Sequence, residues 1–507
     1  MTRRTLRFAL TAATLVAAGT LVVRAQGPVA NSDAELQYQL ATLLAEETRF
    51  DEAFNAFEKA TRAQDPALAL RARKGKVRTA LTLARYAVAR QDAEVIRRDA
   101  PDDAEGLTLH GDTLWAAGLF DEAEVIYRDA VGRNPGSSRA HFGMARSLAT
   151  RSRLDDALEE ALTAVAAAPR DGEIHAAIGG IYERLNRFDE AANAYTSFIN
   201  LLPNKDHSEK AAWSRAQVRF LQAFDGKVPV EVDEEDNRMR HTVPFRLVDD
   251  KVIVQGRVNG GAPMDFVLDT GSEETVVSRQ TAQRYGVRAI TYTLSAGVGE
   301  VGLRGLELAR LNSLEIGTLK VQNLPVLIKN PALQGIPKRE VESFSPLSLG
   351  MSMIIDYQQR LLTIARTLPQ DDKADYTLPM RIHRLAMVRG VVNSTKPGYF
   401  VVDTGGQVIS ISGEMAEQLR DTAPGIRRIP LKVWGTSGWD RDAFLLPGQS
   451  LDFDRIEFRN HSLVVLNLRA PSVLLGFQVS GIVGHKFLSA YRVAMDMERS
   501  ELRLQKF

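Results

Sequence analysis

The chain is 507 residues long, with Lys+Arg 64 against Asp+Glu 63. That length exceeds what one core supports, so two or three domains are expected, and the near-even charge gives no basis for a nucleic acid or an anionic membrane surface as partner. Cysteine is absent and the eight histidines show no metal-ligand spacing, which excludes disulfides and thiol chemistry and leaves neither a metal nor a cofactor to expect.

Arg3, Arg4 and Arg7 precede an apolar stretch from Phe8 to Val23, and Val23-Arg24-Ala25 offers small residues before Gln26. Residues 1–25 are therefore predicted to be a cleaved export signal, because this stretch falls short of the roughly 20 residues a membrane span needs. The Arg pair after Thr2 is also compatible with twin-arginine export. A periplasmic or secreted protein with no stable membrane span after cleavage is expected.

From residue 31 to about 225 the chain is rich in Ala, Leu, Glu and Arg at helical spacing. A short pattern recurs: Arg49-Phe50-Asp51-Glu52-Ala53, Leu119-Phe120-Asp121-Glu122-Ala123, Arg153-Leu154-Asp155-Asp156-Ala157 and Arg187-Phe188-Asp189-Glu190-Ala191, with a degenerate copy at Arg85. Prolines follow at 66, 101, 135, 169 and 203. The period resembles that of the tetratricopeptide repeats, a 34-residue helix-turn-helix. Ala123, Ala157 and Ala191 match the helix-crossing position, Ala130 and Ala164 the later small one, and Gly111 and Gly179 the first-helix glycine. The resemblance implies an α-solenoid of four to five units, a capping helix over residues 207–224 and a concave face for a protein partner. The basic run Arg71 to Arg78 is assigned no binding role, since charged runs on helices are usually solvated.

Residues 226–239, with Asp233-Glu234-Glu235-Asp236 inside, interrupt the helical pattern and read as a linker. Short alternating runs then take over, first Val252 to Val258 followed by the hairpin signal Asn259-Gly260. The fold class expected is α followed by all-β, the β part forming two lobes over residues 240–366 and 377–507. The connection from Arg366 to Tyr376 is long enough for those lobes to pair within one chain.

Each lobe carries Asp-Thr-Gly after an apolar run: Asp269-Thr270-Gly271 and Asp403-Thr404-Gly405. Leu349-Gly350 ends 81 positions after Asp269, and Val483-Gly484 ends 81 after Asp403, which makes Gly350 and Gly484 the expected matching structural glycines. After each triplet the same order of strand and short helix is predicted, over 272–285 and 407–420. Together these motifs resemble the retropepsin-like aspartic peptidases, with all-β acid-protease lobes.

The resemblance implies that Asp269 and Asp403 are a catalytic pair hydrolysing a protein or peptide substrate. Two carboxyls held together share one proton, so one activates water while the other polarises the scissile carbonyl. Thr270 and Thr404 would brace the two loops, with Gly271, Ser272, Gly405 and Gly406 in support. The Ser272 hydroxyl is expected to favour an ionised Asp269, making it the more acidic member. Flap tips are expected at Gly297-Val298-Gly299 and around Trp434, Gly435 and Trp439, whose aromatic rings would cover an apolar substrate. Because only 6 residues separate Gly350 from Asp356, against 12 from Gly484 to Asp496, the first lobe is expected to lack the second lobe's short helix. Asp356 and Asp496 read as turn residues. The rival reading is a catalytically silent scaffold whose repeats bind the partner, since a fold alone does not establish activity.

Overall fold

A computed structural model describes residues 30–203, 205–299, 302–329, 342–369, 373–422, 425 and 427–507. The expected export signal lies outside them. Ten helices form five antiparallel pairs: α1 (Asn31–Glu46) with α2 (Phe50–Ala60), α3 (Pro66–Thr82) with α4 (Tyr86–Asp99), α5 (Ala104–Ala116) with α6 (Phe120–Arg133), α7 (Ser138–Thr150) with α8 (Leu154–Ala167), and α9 (Gly172–Arg184) with α10 (Phe188–Leu201). α11 (Glu209–Gln222) follows as a last single helix. The degenerate copy at Arg85 thus builds a full pair.

The repeat is written in caps and small residues. Asp65, Asp103, Ser137, Asp171 and Ser208 each accept a first-turn N–H and start α3, α5, α7, α9 and α11. Ala123, Ala157 and Ala191 are wholly buried between the helices. A Cβ on Gly179 would stand 2.8 Å from the Tyr195 ring, so only glycine admits that close a partner helix. The basic run pairs with acids of the array, Lys74 with Asp103 and Glu105 and Lys76 with Glu58 and Asp92 in buried positions, Arg73 with Asp92 half-buried, and Arg71 with Glu35 and Arg78 with Glu105 at the surface.

The segment predicted as a linker is partly integrated. Glu231 bridges Gln322 in the first lobe, Val230 is buried, and α12 (Glu234–Arg238) occupies the acidic stretch.

The first lobe comprises β1 (His241–Pro244), β2 (Arg246–Val248), β3 (Lys251–Val258), β4 (Met264–Leu268), β5 (Thr275–Ser278), α13 (Arg279–Arg284), β6 (Ala289–Ala296), β7 (Leu303–Ile316), β8 (Leu319–Lys329), β9 (Glu342–Phe344), a 3-10 turn at Pro346–Leu349, β10 (Ser352–Asp356) and β11 (Leu361–Ala365). The second comprises β12 (Tyr376–His383), β13 (Leu385–Val392), β14 (Lys396–Val402), β15 (Ile409–Ser412), α14 (Gly413–Thr422), β16 (Ile429–Pro430), β17 (Val433–Gly435), β18 (Gly438–Asp440), β19 (Phe444–Phe453), β20 (Ile456–Leu466), α15 (Arg469–Leu475), β21 (Gly481–Val483), α16 (His485–Leu488), β22 (Tyr491–Asp496) and β23 (Glu501–Lys506). Asn259 and Gly260 both take positive φ between β3 and β4, the hairpin their sequence signals.

The lobes are joined by one sheet running β1-β11-β10-β22-β23-β12, whose central pair β10 and β22 aligns Met353 with Met495. Both halves of the site therefore come from a single chain. Within each lobe the strand before Asp-Thr-Gly pairs in parallel with a second strand, β4 with β9 and β14 with β21.

That pairing corrects two expectations. Asp269 donates its N–H to Phe344 O (2.9 Å) and Asp403 donates to Val483 O (3.0 Å), so the counterpart of Gly484 is Ser345, not Gly350. Gly350 instead caps the 3-10 turn with φ 65°. The equal spacing of 81 thus joins residues that are not equivalent. The short helix is also not missing from the first lobe, because Pro346–Leu349 occupies the place of α16. Asp356 and Asp496 do hold turns, accepting from the N–H of Gln359 (2.8 Å) and of Arg499 (3.0 Å).

The array clasps both lobes. Phe120 packs on Tyr399 and Phe477, with ring centroids 4.9 Å away in each case, and Gln478 donates its N–H to Ala116 O at 2.8 Å. Arg381, fully buried on β12, ion-pairs with Asp121 and Glu124 and donates to Thr150. At the other end Phe220, Leu221 and Phe224 share a core with Leu308 and Leu327 of the first lobe.

Candidate active site

The ends of β4 and β14 bring the two Asp-Thr-Gly loops face to face. Thr270 donates its hydroxyl to Val402 O (2.6 Å) and accepts from Thr404 N–H (3.0 Å), while Thr404 donates to Leu268 O (2.7 Å) and accepts from Thr270 N–H (3.1 Å). Four buried bonds lock one loop to the other. A Cβ on Gly271 would lie 2.5 Å from Cγ of Asp403, and one on Gly405 2.7 Å from Oδ1 of Asp269. Glycine at both positions is what lets each carboxyl lie against the opposite loop.

The carboxyls of Asp269 and Asp403 act on each other as they titrate. Burial, and then the charge of Asp403, raises the pKa of Asp269, while burial also raises that of Asp403 against the pull of its hydrogen bonds. Those bonds are unequal. Asp403 accepts the N–H of Gly405 (2.8 Å) and of Gly406 (2.9 Å), whereas Asp269 accepts that of Gly271 alone (3.1 Å). These bonds favour the charged form of Asp403 more than that of Asp269, the reverse of the order expected from Ser272. The reason is local: the Ser272 hydroxyl donates to Glu274 O at 2.7 Å, and its N–H turns back to the Asp269 carbonyl. The charge of Lys251 lowers both aspartates, opposing burial.

Above the pair, the β6–β7 hairpin and the β17–β18 hairpin meet tip to tip. Ser437 donates its N–H to Val298 O (2.9 Å), Arg304 donates to Thr436 O (3.0 Å), and Gly297, Gly299 and Gly435 lie so close to the opposite tip that none could carry a side chain. Trp434 and Trp439 stack edge-on at 5.1 Å but remain exposed on the outer side and do not line the cavity below. They are cross-strand neighbours, so both side chains share the solvent face of the ribbon, and Ser437 is buried in their place.

Below the hairpins a cavity of about 1450 Å³ starts at Asp269 and Gly271 and extends to Glu183, Tyr195 and Gln217 on α9 to α11. Arg384 of the second lobe reaches into it and ion-pairs with Glu273 of the first. The array's place in this wall had no signal in the sequence, because Glu183 and Gln217 fall outside the repeated pattern. Asp121 did have one, as a member of that pattern, but its contact with β12 is set by tertiary docking. Among the described residues no group of His, Cys, Asp and Glu is arranged to hold a metal ion, and no helix is long and apolar enough to cross a membrane.

Residues 254–353 match the family model described as aspartyl protease, a span that takes in much of the first lobe and ends before the second. Residues 108–171 and 143–203 match one tetratricopeptide repeat model and 34–65 another. Similar solved structures include a thermophilic tetratricopeptide repeat protein of Thermus thermophilus, 21% identical over 36% of this chain and 98% of that one, with a TM-score of 0.32. MamA of Desulfovibrio magneticus is 17% identical over 33% of this chain and 94% of that one, with a TM-score of 0.25. YrrB, a repeat protein with an unusual peptide-binding site, is 20% identical over 36% of this chain and 92% of that one, with a TM-score of 0.23. The comparison with curated proteins gave no match.

Proposed function

From a chain that joins tetratricopeptide repeats to an aspartyl protease domain, we propose an exported aspartic endopeptidase in which Asp269 and Asp403 are the catalytic pair. The observation that carries this reading is the reciprocal threonine brace, which holds each carboxyl against the opposite Asp-Thr-Gly loop. Asp403, ionised, takes a proton from an attacking water. Asp269, protonated, donates to the scissile carbonyl oxygen as the tetrahedral diol forms. The hairpin tips above Asp269 and Asp403 enclose the substrate and exclude bulk water during the reaction. Among the described residues, hydrogen bonds and ion pairs from array to lobes begin at Ala116, which leaves α1 to α4 for a protein partner.

The test is digestion of an unfolded protein by the purified chain across pH, with Asp269→Asn and Asp403→Asn alongside. Each variant is expected to lose activity by at least about a thousandfold, since the two carboxyls act as one unit. Absence of any cleavage by the unaltered chain would support the silent scaffold instead. Export rests on the basic and apolar composition of residues 1–25; cell fractionation that finds the uncleaved chain in the cytoplasm would remove that part.

A further inference from the structure

The cavity that starts at Asp269 is lined on its far side by the helical array. Glu183 of α9 lines it, held by Gln217 Nε2 of α11 at 3.0 Å and by a hydrogen bond with Tyr195 of α10. Glu274, five residues after Asp269 on the same loop, lines it from the first lobe. Among the described residues the Glu274 carboxylate has neither a hydrogen-bond nor an ion-pair partner. Burial pushes its pKa well above the carboxylate range, and the charges of Glu273 and Glu183 add to that push; burial raises Glu183 likewise.

Three arginines of the cavity lining hold partners of their own, although the charge of Arg384 also acts on Glu274 and Glu183. Arg384 pairs with Glu273 (2.7 Å), Arg304 binds Thr436 O (3.0 Å), and Arg184 donates to the carbonyls of Ala149 (2.6 Å) and Ile382 (3.3 Å). The same wall carries apolar surface from Leu306, Leu308 and Phe220. Apolar lining beside two enclosed carboxylates suits a long side chain with a methylene stem and a positive tip.

Building on the peptidase reading, we propose that Glu183 and Glu274 form a subsite for a lysine or arginine side chain of the substrate polypeptide, so that the repeat array itself selects where the chain is cut. A cation arriving with the substrate adds to the charge of Arg384, which already acts on both glutamates. In an enclosed site such a pair discriminates strongly against a neutral side chain.

The test uses peptides that differ only in lysine or norleucine within three residues of the cut, given to the full chain and to Glu183→Gln and Glu274→Gln. The unaltered protein is expected to favour the lysine peptide in kcat/KM by about tenfold or more, and each variant to bring that ratio several-fold closer to one. Binding of the same peptides to the Asp403→Asn protein, read by fluorescence anisotropy, separates the two ideas. Cleavage of both peptides equally, dependent on both aspartates, overturns the subsite and leaves the peptidase. Tighter binding of the lysine peptide with no cleavage by the unaltered chain leaves the subsite and removes the peptidase. No lysine preference in cleavage or binding, or a preference that neither variant changes, overturns the subsite.

Discussion

At the Asp269 carboxyl, burial and the neighbouring Asp403 push the pKa up to about 7. An enzyme that needs one proton on this pair should lose kcat/KM as pH rises through about 7 and, on the acid side, as Asp403 takes up its own proton. Ser272→Ala is expected to leave the alkaline limb unmoved, because that hydroxyl is committed to the Glu274 carbonyl. A shifted alkaline limb would show that it reaches Asp269 in solution. Stability carries the same signature. An unfolded aspartate titrates near pH 4, so between about 4 and 7 the folded protein keeps a proton that the unfolded chain has released, and stability falls as pH rises across that window. Asp269→Asn removes the loss: it should be more stable than the unaltered protein by up to about 4 kcal/mol at pH 8 and equal to it near pH 3, as read by denaturant titration at each pH. The aspartates were legible in the sequence, but their order of acidity was not. A serine's position in a sequence does not say which of two nearby carbonyls or carboxylates its hydroxyl will meet.

Among elements, the threonine brace is where the two loops depend on each other most. Thr270→Val removes the bond to Val402 O and leaves the buried Thr404 N–H without its acceptor. The cost should be about 2 to 3 kcal/mol, measured as a lower denaturation midpoint, and Thr270→Ser should recover most of it by restoring the hydroxyl. Strand pairing also explains why the Gly350 landmark misled. Sequence spacing equates Gly350 with Gly484, whereas the parallel pairing of β4 with β9 equates Ser345 with Gly484. Hairpins of different length in the two lobes happen to restore the same total. The repeated helices were easier to read, since their caps, small residues and period are all local. The hairpin tips were legible as glycine-rich turns, but not the face on which Trp434 and Trp439 would lie, because strand alternation fixes a side only once the partner strand is known.

For the molecule as a whole, the array and the lobes share buried surface on both sides of the cavity. Arg381 is fully enclosed between Asp121, Glu124, Ser147 and Thr150. Arg381→Met removes one of several partners from Asp121, which keeps Arg151 and Tyr399, and from Glu124, which keeps Arg128 and Arg151, and should cost about 1 to 3 kcal/mol; a denaturation curve indistinguishable from that of the unaltered protein would contradict it. What local chemistry encodes was present in the residues: the helical period, the switch from α to β, and two Asp-Thr-Gly loops, each set by contacts within a few tens of residues. The array as a wall of the cavity at Asp269 and the Ser345 equivalence follow from groups far apart in the chain. Their free energies depend on burial and distance, quantities that exist only after the chain has closed on itself.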